Sequence, residues 1–159
     1  MSVVVRLVED RDIPGMAAIR AREWETLEYW EHRIARYLGG ELSPQQALSA
    51  RAAFVAEREG VMVGFVAGHL TRRHACEGEL EWINVVEEYR GQGIAGLLLE
   101  RMAEWFLEQE AHRVCVNVAP ENVAARGLYA NAGAQRLNEH WMIWEDIQGP
   151  RARFAQRDG

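Results

Sequence analysis

The stretch Val85-Val86-Glu87-Glu88-Tyr89-Arg90-Gly91-Gln92-Gly93-Ile94-Ala95-Gly96 decides how the rest of the chain is read. A β-branched run ends, a turn with closely spaced glycines follows, and an apolar series of helical period begins. Ile94, Leu97, Leu98, Met102, Trp105 and Phe106 form one stripe of a helix predicted over 93–110, with Glu100, Glu104 and Glu108 on the opposite face. The first N–H groups of a helix have no partner inside it, and the macrodipole favours an anion at that end. Glycine lets the backbone approach such an anion with no Cβ in the way, and Arg90 can add a charge-assisted contact. Glycines alone do not separate a phosphate cradle from a bare strand-to-helix turn.

Two nucleotide readings fail on context. Residues 91–96 spell GxGxxG, but the dinucleotide fingerprint needs an acidic residue at the end of the next strand, and that strand ends Val116-Asn117-Val118-Ala119-Pro120. The chain is also too short for a doubly wound sheet. No Gly-Lys-Ser/Thr follows the loop, which removes a P-loop.

Working outward, residues 3–8 read as a strand. Asp12 and Pro14 open a helix with Ile13, Met16, Ala17 and Arg20 on one face. A second helix spans about 26–38 and stops at Gly39-Gly40, with Trp30 in phase with its buried stripe. Residues 43–49 read as a loop or short helical turn. Strands at 52–56 and 62–70 form a hairpin around Glu59-Gly60, and a polar turn at 72–78 leads to a strand at 79–86. Val114–Val118 is a strand, Pro120 and Asn122 open a helix that closes at Gly133, and 134–138 with 140–147 make a final hairpin. One domain over 1–148, with a polar tail at 149–159, follows from the length of 159 residues and the lack of any linker.

The loop and its flanks resemble the GNAT superfamily of N-acetyltransferases. Arg90-Gly91-Gln92-Gly93-Ile94-Ala95 matches the [QR]xxGx[GA] signature. Upstream, Glu79-Leu80-Glu81-Trp82-Ile83-Asn84 resembles the family's fourth strand. Downstream, Asn122-Val123-Ala124-Ala125-Arg126-Gly127-Leu128-Tyr129 resembles its N-x-x-A-x-x-[LF]-Y helix. The resemblance covers about residues 1–147 and is strongest over 79–134. It implies an α/β fold of α+β type: a mixed, mostly antiparallel sheet of six to seven strands flanked by about four helices.

The activity it implies is direct transfer of an acetyl group from acetyl-CoA to a primary amine, without an acyl-enzyme. The amides of Gly91, Gln92, Gly93, Ile94, Ala95 and Gly96, with Arg90, would hold the pyrophosphate. Pantetheine would run beside Val85 and Val86 and meet Asn122. Tyr129 would protonate the leaving thiolate. Its ordinary pKa of about 10 lies above the thiol's value of about 8.5. Glu79 occupies the position where some members place their catalytic base, and Glu81 shares its face by the strand period of two. Either, or ordered water, would take the ammonium proton; Glu79 equally reads as a solvated strand start. Trp24, Tyr29 and Trp141 are the expected acceptor contacts, since aromatic walls favour cations and apolar arms. Glu23, Glu25 and Glu28 either attract a positive acceptor or are plain surface charge. The acceptor itself, a small molecule or a peptide, stays open. So do a non-catalytic CoA-binding sensor and transfer of a larger acyl group. Dimerisation is common in the family, so the resemblance leaves a homodimer open.

Composition narrows the field further. A net charge of −6 argues against nucleic acid as partner. No basic n-region precedes an apolar segment and no apolar run approaches 18 residues, so neither secretion nor membrane insertion is expected, and the cytoplasm is the default. Cys76 and Cys115 sit alone, with no metal-ligand spacing; no metal is expected, and both thiols read as buried filler. His69, His74 and His112 read as structural or exposed, and Arg72-Arg73-His74 as a solvated turn.

Overall fold

The computed structural model describes residues 2–148; the tail expected at 149–159 lies outside the described residues. Among them are strands β1 (Val4–Leu7), β2 (Ala47–Arg58), β3 (Val61–Thr71), β4 (Gly78–Val85), β5 (Val114–Asn117), β6 (Gln135–Asn138) and β7 (Trp141–Trp144). The helices are α1 (Ile13–Ala21), α2 (Leu27–Leu38), α3 (Ile94–Glu108) and α4 (Val123–Asn131). One seven-stranded sheet runs in the order β1-β2-β3-β4-β5-β7-β6, antiparallel except for the β4–β5 pair. This is the fold class expected from the sequence.

Each face of the sheet carries its own core. Leu98, Met102 and Phe106 of α3 pack on Phe54, Val66 and Leu80. Met16, Ile34 and Tyr37, from α1 and α2, pack with Phe65 and Trp82 on the other face. Gly78 permits the closest approach: a Cβ there would lie 2.6 Å from the Phe106 ring, so the residue must be glycine for α3 to seat. Thr26 caps α2 by accepting from the Tyr29 N–H at 3.1 Å. The β2–β3 turn takes left-handed backbone at Glu59 and Gly60.

One strand begins earlier than its sequence suggests. Residues 47–49 lie in β2, not in a loop, because Ala47 pairs with Thr71 across β3. Alternation is weak there, and pairing with a long neighbour overrides local propensity. The cysteines also differ from expectation: Cys76 and Cys115 are not isolated but pack together with Ile143, both as free thiols. No helix among the described residues is long and apolar enough to cross a membrane.

Two irregularities of β4 make the site. Its parallel pairing with β5 covers Gly78↔Val114, Glu79↔Cys115 and Leu80↔Val116, then stops, so the strand ends diverge. On the other edge Gly68 faces Leu80 and Ala67 faces Trp82, which leaves Glu81 as the extra residue of a β-bulge. Bulges re-aim side chains. Here Leu80 joins the α3 core and Trp82 the α1–α2 core, although only Glu81 separates them.

Candidate functional site

A cleft of about 1150 Å³ opens where β4 and β5 part. The start of α3 borders it, as do the Asn122–Tyr129 segment and, on the other side, α1 and α2. Gly91 and Gly93 both have left-handed backbone, φ +80 and +82, and the space around their absent Cβ atoms is open to at least 4 Å. Gly93 is the N-cap of α3 and offers no side-chain cap. The Leu97 N–H reaches back to the Gly93 carbonyl at 3.2 Å, which leaves the amides ahead of it as a helix-terminal donor set bordering the cleft.

Arg90 serves this loop from the side. Its Nε donates to the Val85 carbonyl at 3.0 Å and its Nη2 pairs with Glu23 at 3.1 Å, so the guanidinium ties the loop to the end of β4 and to the α1–α2 connection. Gln92 accepts from Arg58 at 2.8 Å and stands outside the cleft lining. The Val86 N–H is committed to the Val63 carbonyl at 2.9 Å, while Val85 lines the cleft.

Asn122 caps α4 by accepting from the Ala125 N–H at 3.1 Å. Two turns on, Tyr129 is 5% exposed, with its ring edge-on to Trp144 at 5.6 Å. Both residues line the cleft. Burial pushes the Tyr129 phenol well above its ordinary value, opposed only by the charge of Arg20, so it stays protonated at neutral pH.

The carboxylates meet His69, which the sequence placed among the structural or exposed histidines and which is fully buried. Donor atoms of His69, Glu79 and Glu81 all lie within 4.8 Å of one another. Glu79 is 4% exposed, not a solvated strand start. Its Oε1 is 3.6 Å from His69 Nε2 and 3.3 Å from Arg73 Nε, so a cation from the 72–78 turn reaches into the site. Tyr37 Oη lies 2.9 Å from His69 Nδ1. Glu81 is less deeply placed and has no salt bridge among the described residues; burial raises its pKa, with the neighbouring Glu79 adding to the rise and His69 opposing it.

The part of the cleft where the sequence suggested acceptor contacts is aromatic, and its rings already carry the chain's own cations. Trp24 is 49% exposed and lines the cleft, as does Trp141, whose ring lies 4.8 Å from the Arg73 guanidinium. Tyr29 stands outside the lining and packs edge-on to Trp30 at 5.0 Å. Trp30 is buried, as its helical phase predicts, and its indole donates to the Trp24 carbonyl at 2.7 Å. Sequence reading missed Arg20, Arg33, Trp82 and Arg73. For Arg20 a signal existed: a charged residue on the apolar face of α1.

The family model for the Acetyltransferase (GNAT) family matches residues 11–134. An uncharacterized N-acetyltransferase of Archaeoglobus fulgidus is 26% identical over 136 residues, 83% of this chain and 92% of that protein. The uncharacterized N-acetyltransferase YobR of Bacillus subtilis is 36% identical over 63 residues, 40% of this chain, and the match spans only 26% of YobR. In fold, the chain is similar to the PaiA N-acetyltransferase of Thermoplasma acidophilum, solved in complex with coenzyme A, with a TM-score of 0.66 at 15% identity over 90% of this chain and 98% of that one.

Proposed function

Since the chain belongs to the GNAT acetyltransferase family, we propose that it moves an acetyl group directly from acetyl-CoA to a primary amine. The observation that carries this is the parting of β4 and β5 beside an open, glycine-rich helix start, with a buried tyrosine at the same cleft. The fit to the donor substrate is favourable. Nothing crowds Gly91 or Gly93, so phosphate oxygens can reach the amides of residues 91–96. Val85 and Asn122 then flank the pantetheine arm.

The chemistry assigns roles. The amine must lose a proton before it attacks, since its pKa near 10 keeps it charged at neutral pH. Glu81 is the better base of the two carboxylates: burial has raised its proton affinity, whereas Glu79 is engaged by Arg73. The nitrogen lone pair forms the C–N bond at the thioester carbonyl. A backbone N–H on the β4 edge that β5 leaves unpaired stabilises the oxyanion. When the C–S bond breaks, Tyr129 gives its proton to the sulfur, and the proton that the new amide nitrogen sheds passes through solvent to restore the phenol. Trp24 and Trp141 border the acceptor.

The test is thiol release from acetyl-CoA across a panel of amines, paired with calorimetric titration of CoA. Turnover together with CoA binding supports the proposal. CoA binding with no release for any acceptor turns the reading to a sensor, and faster release from propionyl- or succinyl-CoA turns it to a larger acyl donor. Well-folded protein with no affinity for CoA sinks it.

A further inference from the structure

We infer that the amine acceptor carries a carboxylate, seated on Arg20 at the α1–α2 side of the cleft; this rests on the acetyltransferase reading above. The guanidinium of Arg20 sits in a box of indoles, its central carbon 4.4 Å from the Trp30 ring centroid, 4.9 Å from Trp24 and 5.9 Å from Trp82. Of the aromatic side chains expected to face a cationic acceptor, Trp24 is therefore already engaged by Arg20 and Trp141 by Arg73.

That cation is incompletely satisfied. A guanidinium has five N–H donors. Nη1 donates to Asn84 Oδ1 at 3.0 Å, Nε is sealed from solvent without a partner, and Nη2 has no hydrogen bond among the described residues. No carboxylate among the described residues pairs with it. Glu23, the nearest in influence, is held by Arg90 at 3.1 Å. Arg33, one helix away, also lines the cleft and has no salt bridge among the described residues. Arginine presents a planar fork that matches a carboxylate with two parallel hydrogen bonds. A half-buried cation with no directly paired carboxylate, its Nε sealed and unpartnered, is under-compensated, so a ligand carboxylate supplies the contact that the fold omits.

The placement also suits the reaction. Arg20 is close enough to Glu81 and to Tyr129 for its charge to act on both. A carboxylate on Arg20 therefore lies near the nitrogen that Glu81 deprotonates. The acceptor class is a short amino acid, whose ammonium faces Glu81 and whose carboxylate faces Arg20. A polyamine has nothing for Arg20 or Arg33 to bind and meets their charge as repulsion.

The experiment compares kcat/KM for the twenty free amino acids and β-alanine with their carboxamides, with spermidine as a carboxylate-free control, in the full-length protein with acetyl-CoA. At least one free acid is expected to exceed its amide by tenfold or more, chiefly through KM. In R20Q that ratio is expected to fall to about one, while R20K keeps part of it. Equal turnover of acids and amides, or spermidine as the best acceptor, overturns this inference and leaves the transferase standing. So does an acid-to-amide ratio unchanged in R20Q. No thiol release with any acceptor overturns both readings. If R20Q does not fold, the acid-to-amide comparison in the native protein still decides.

Discussion

Tyr37 Oη and His69 Nδ1 lie 2.9 Å apart in the core, joining α2 to β3 next to Glu79 of β4. Burial pushes the Tyr37 phenol well above its ordinary value, so the hydroxyl keeps its proton. When it donates to Nδ1, the imidazole turns Nε2–H toward Glu79 Oε1, 3.6 Å away.

Replacing Tyr37 by Phe leaves His69 Nδ1 buried without its partner. The expected loss is about 1–3 kcal/mol of unfolding free energy, read as a lower urea midpoint at unchanged m-value. An unaltered midpoint means that the bond contributes nothing to folding.

Tyr129→Phe keeps the ring that packs on Trp144 and removes only the proton donor. CoA affinity by calorimetry is expected to hold, while kcat falls roughly 100-fold. Full activity in this variant assigns thiolate protonation to solvent.

Glu81 couples pH to rate and stability in opposite senses. As the base it must be ionised, so kcat/KM is expected to decline as pH falls through its raised pKa, above the ordinary 4.5. Glu81→Gln is expected to lose that acid limb and about 100-fold or more in rate. For stability the raised value means that the folded state holds its proton more tightly. That contribution is fully present below the unfolded pKa and is lost as pH rises through the folded one. At neutral pH the Gln variant should therefore melt higher than the native protein. Parallel pH–rate profiles for the two proteins reassign the base.

Gly93→Val places a β-branched residue at φ +82. The expected cost is about 1–3 kcal/mol of stability, with CoA binding weakened because the side chain enters the open cradle. Undiminished CoA affinity in folded Gly93→Val protein moves the pyrophosphate elsewhere.

Asp12 anchors the first turn. Its carboxylate accepts from Arg6 Nη1 and Nη2 at 2.9 and 2.8 Å and from the Glu9 N–H at 2.7 Å. The hydrogen bonds from Arg6 hold its pKa below the ordinary 3.8, so this stabilisation is present above that value and vanishes as pH drops through the lowered one. Asp12→Asn is expected to cost about 2 kcal/mol at neutral pH, toward the low end for a buried pair because Arg6 is partly solvated. Denaturant midpoints of the two proteins should converge in strong acid.

Much of the fold was legible before any coordinates. The helical stripe of α3, the glycines at 91 and 93, and the Asn122–Tyr129 helix follow from periods and turn chemistry, which are local rules. The early start of β2 was not legible, because residues 47–49 owe their extended form to Thr71 and its neighbours on β3. Nor was the meeting of Cys76 with Cys115, which strand pairing alone brings about.

By itself, the sequence determined the order of elements, the helix start beside the cleft and the family to which the chain belongs. All three depend on residues close together along the backbone. Tertiary structure decided the electrostatics of the cleft: that Glu79 is engaged by Arg73, that Glu81 falls on a bulge, and that Arg20 stacks on Trp24, where an acceptor contact was expected. Charge pairing and desolvation depend on which surfaces face one another, and only the packing of α1 and α2 against β4 establishes that.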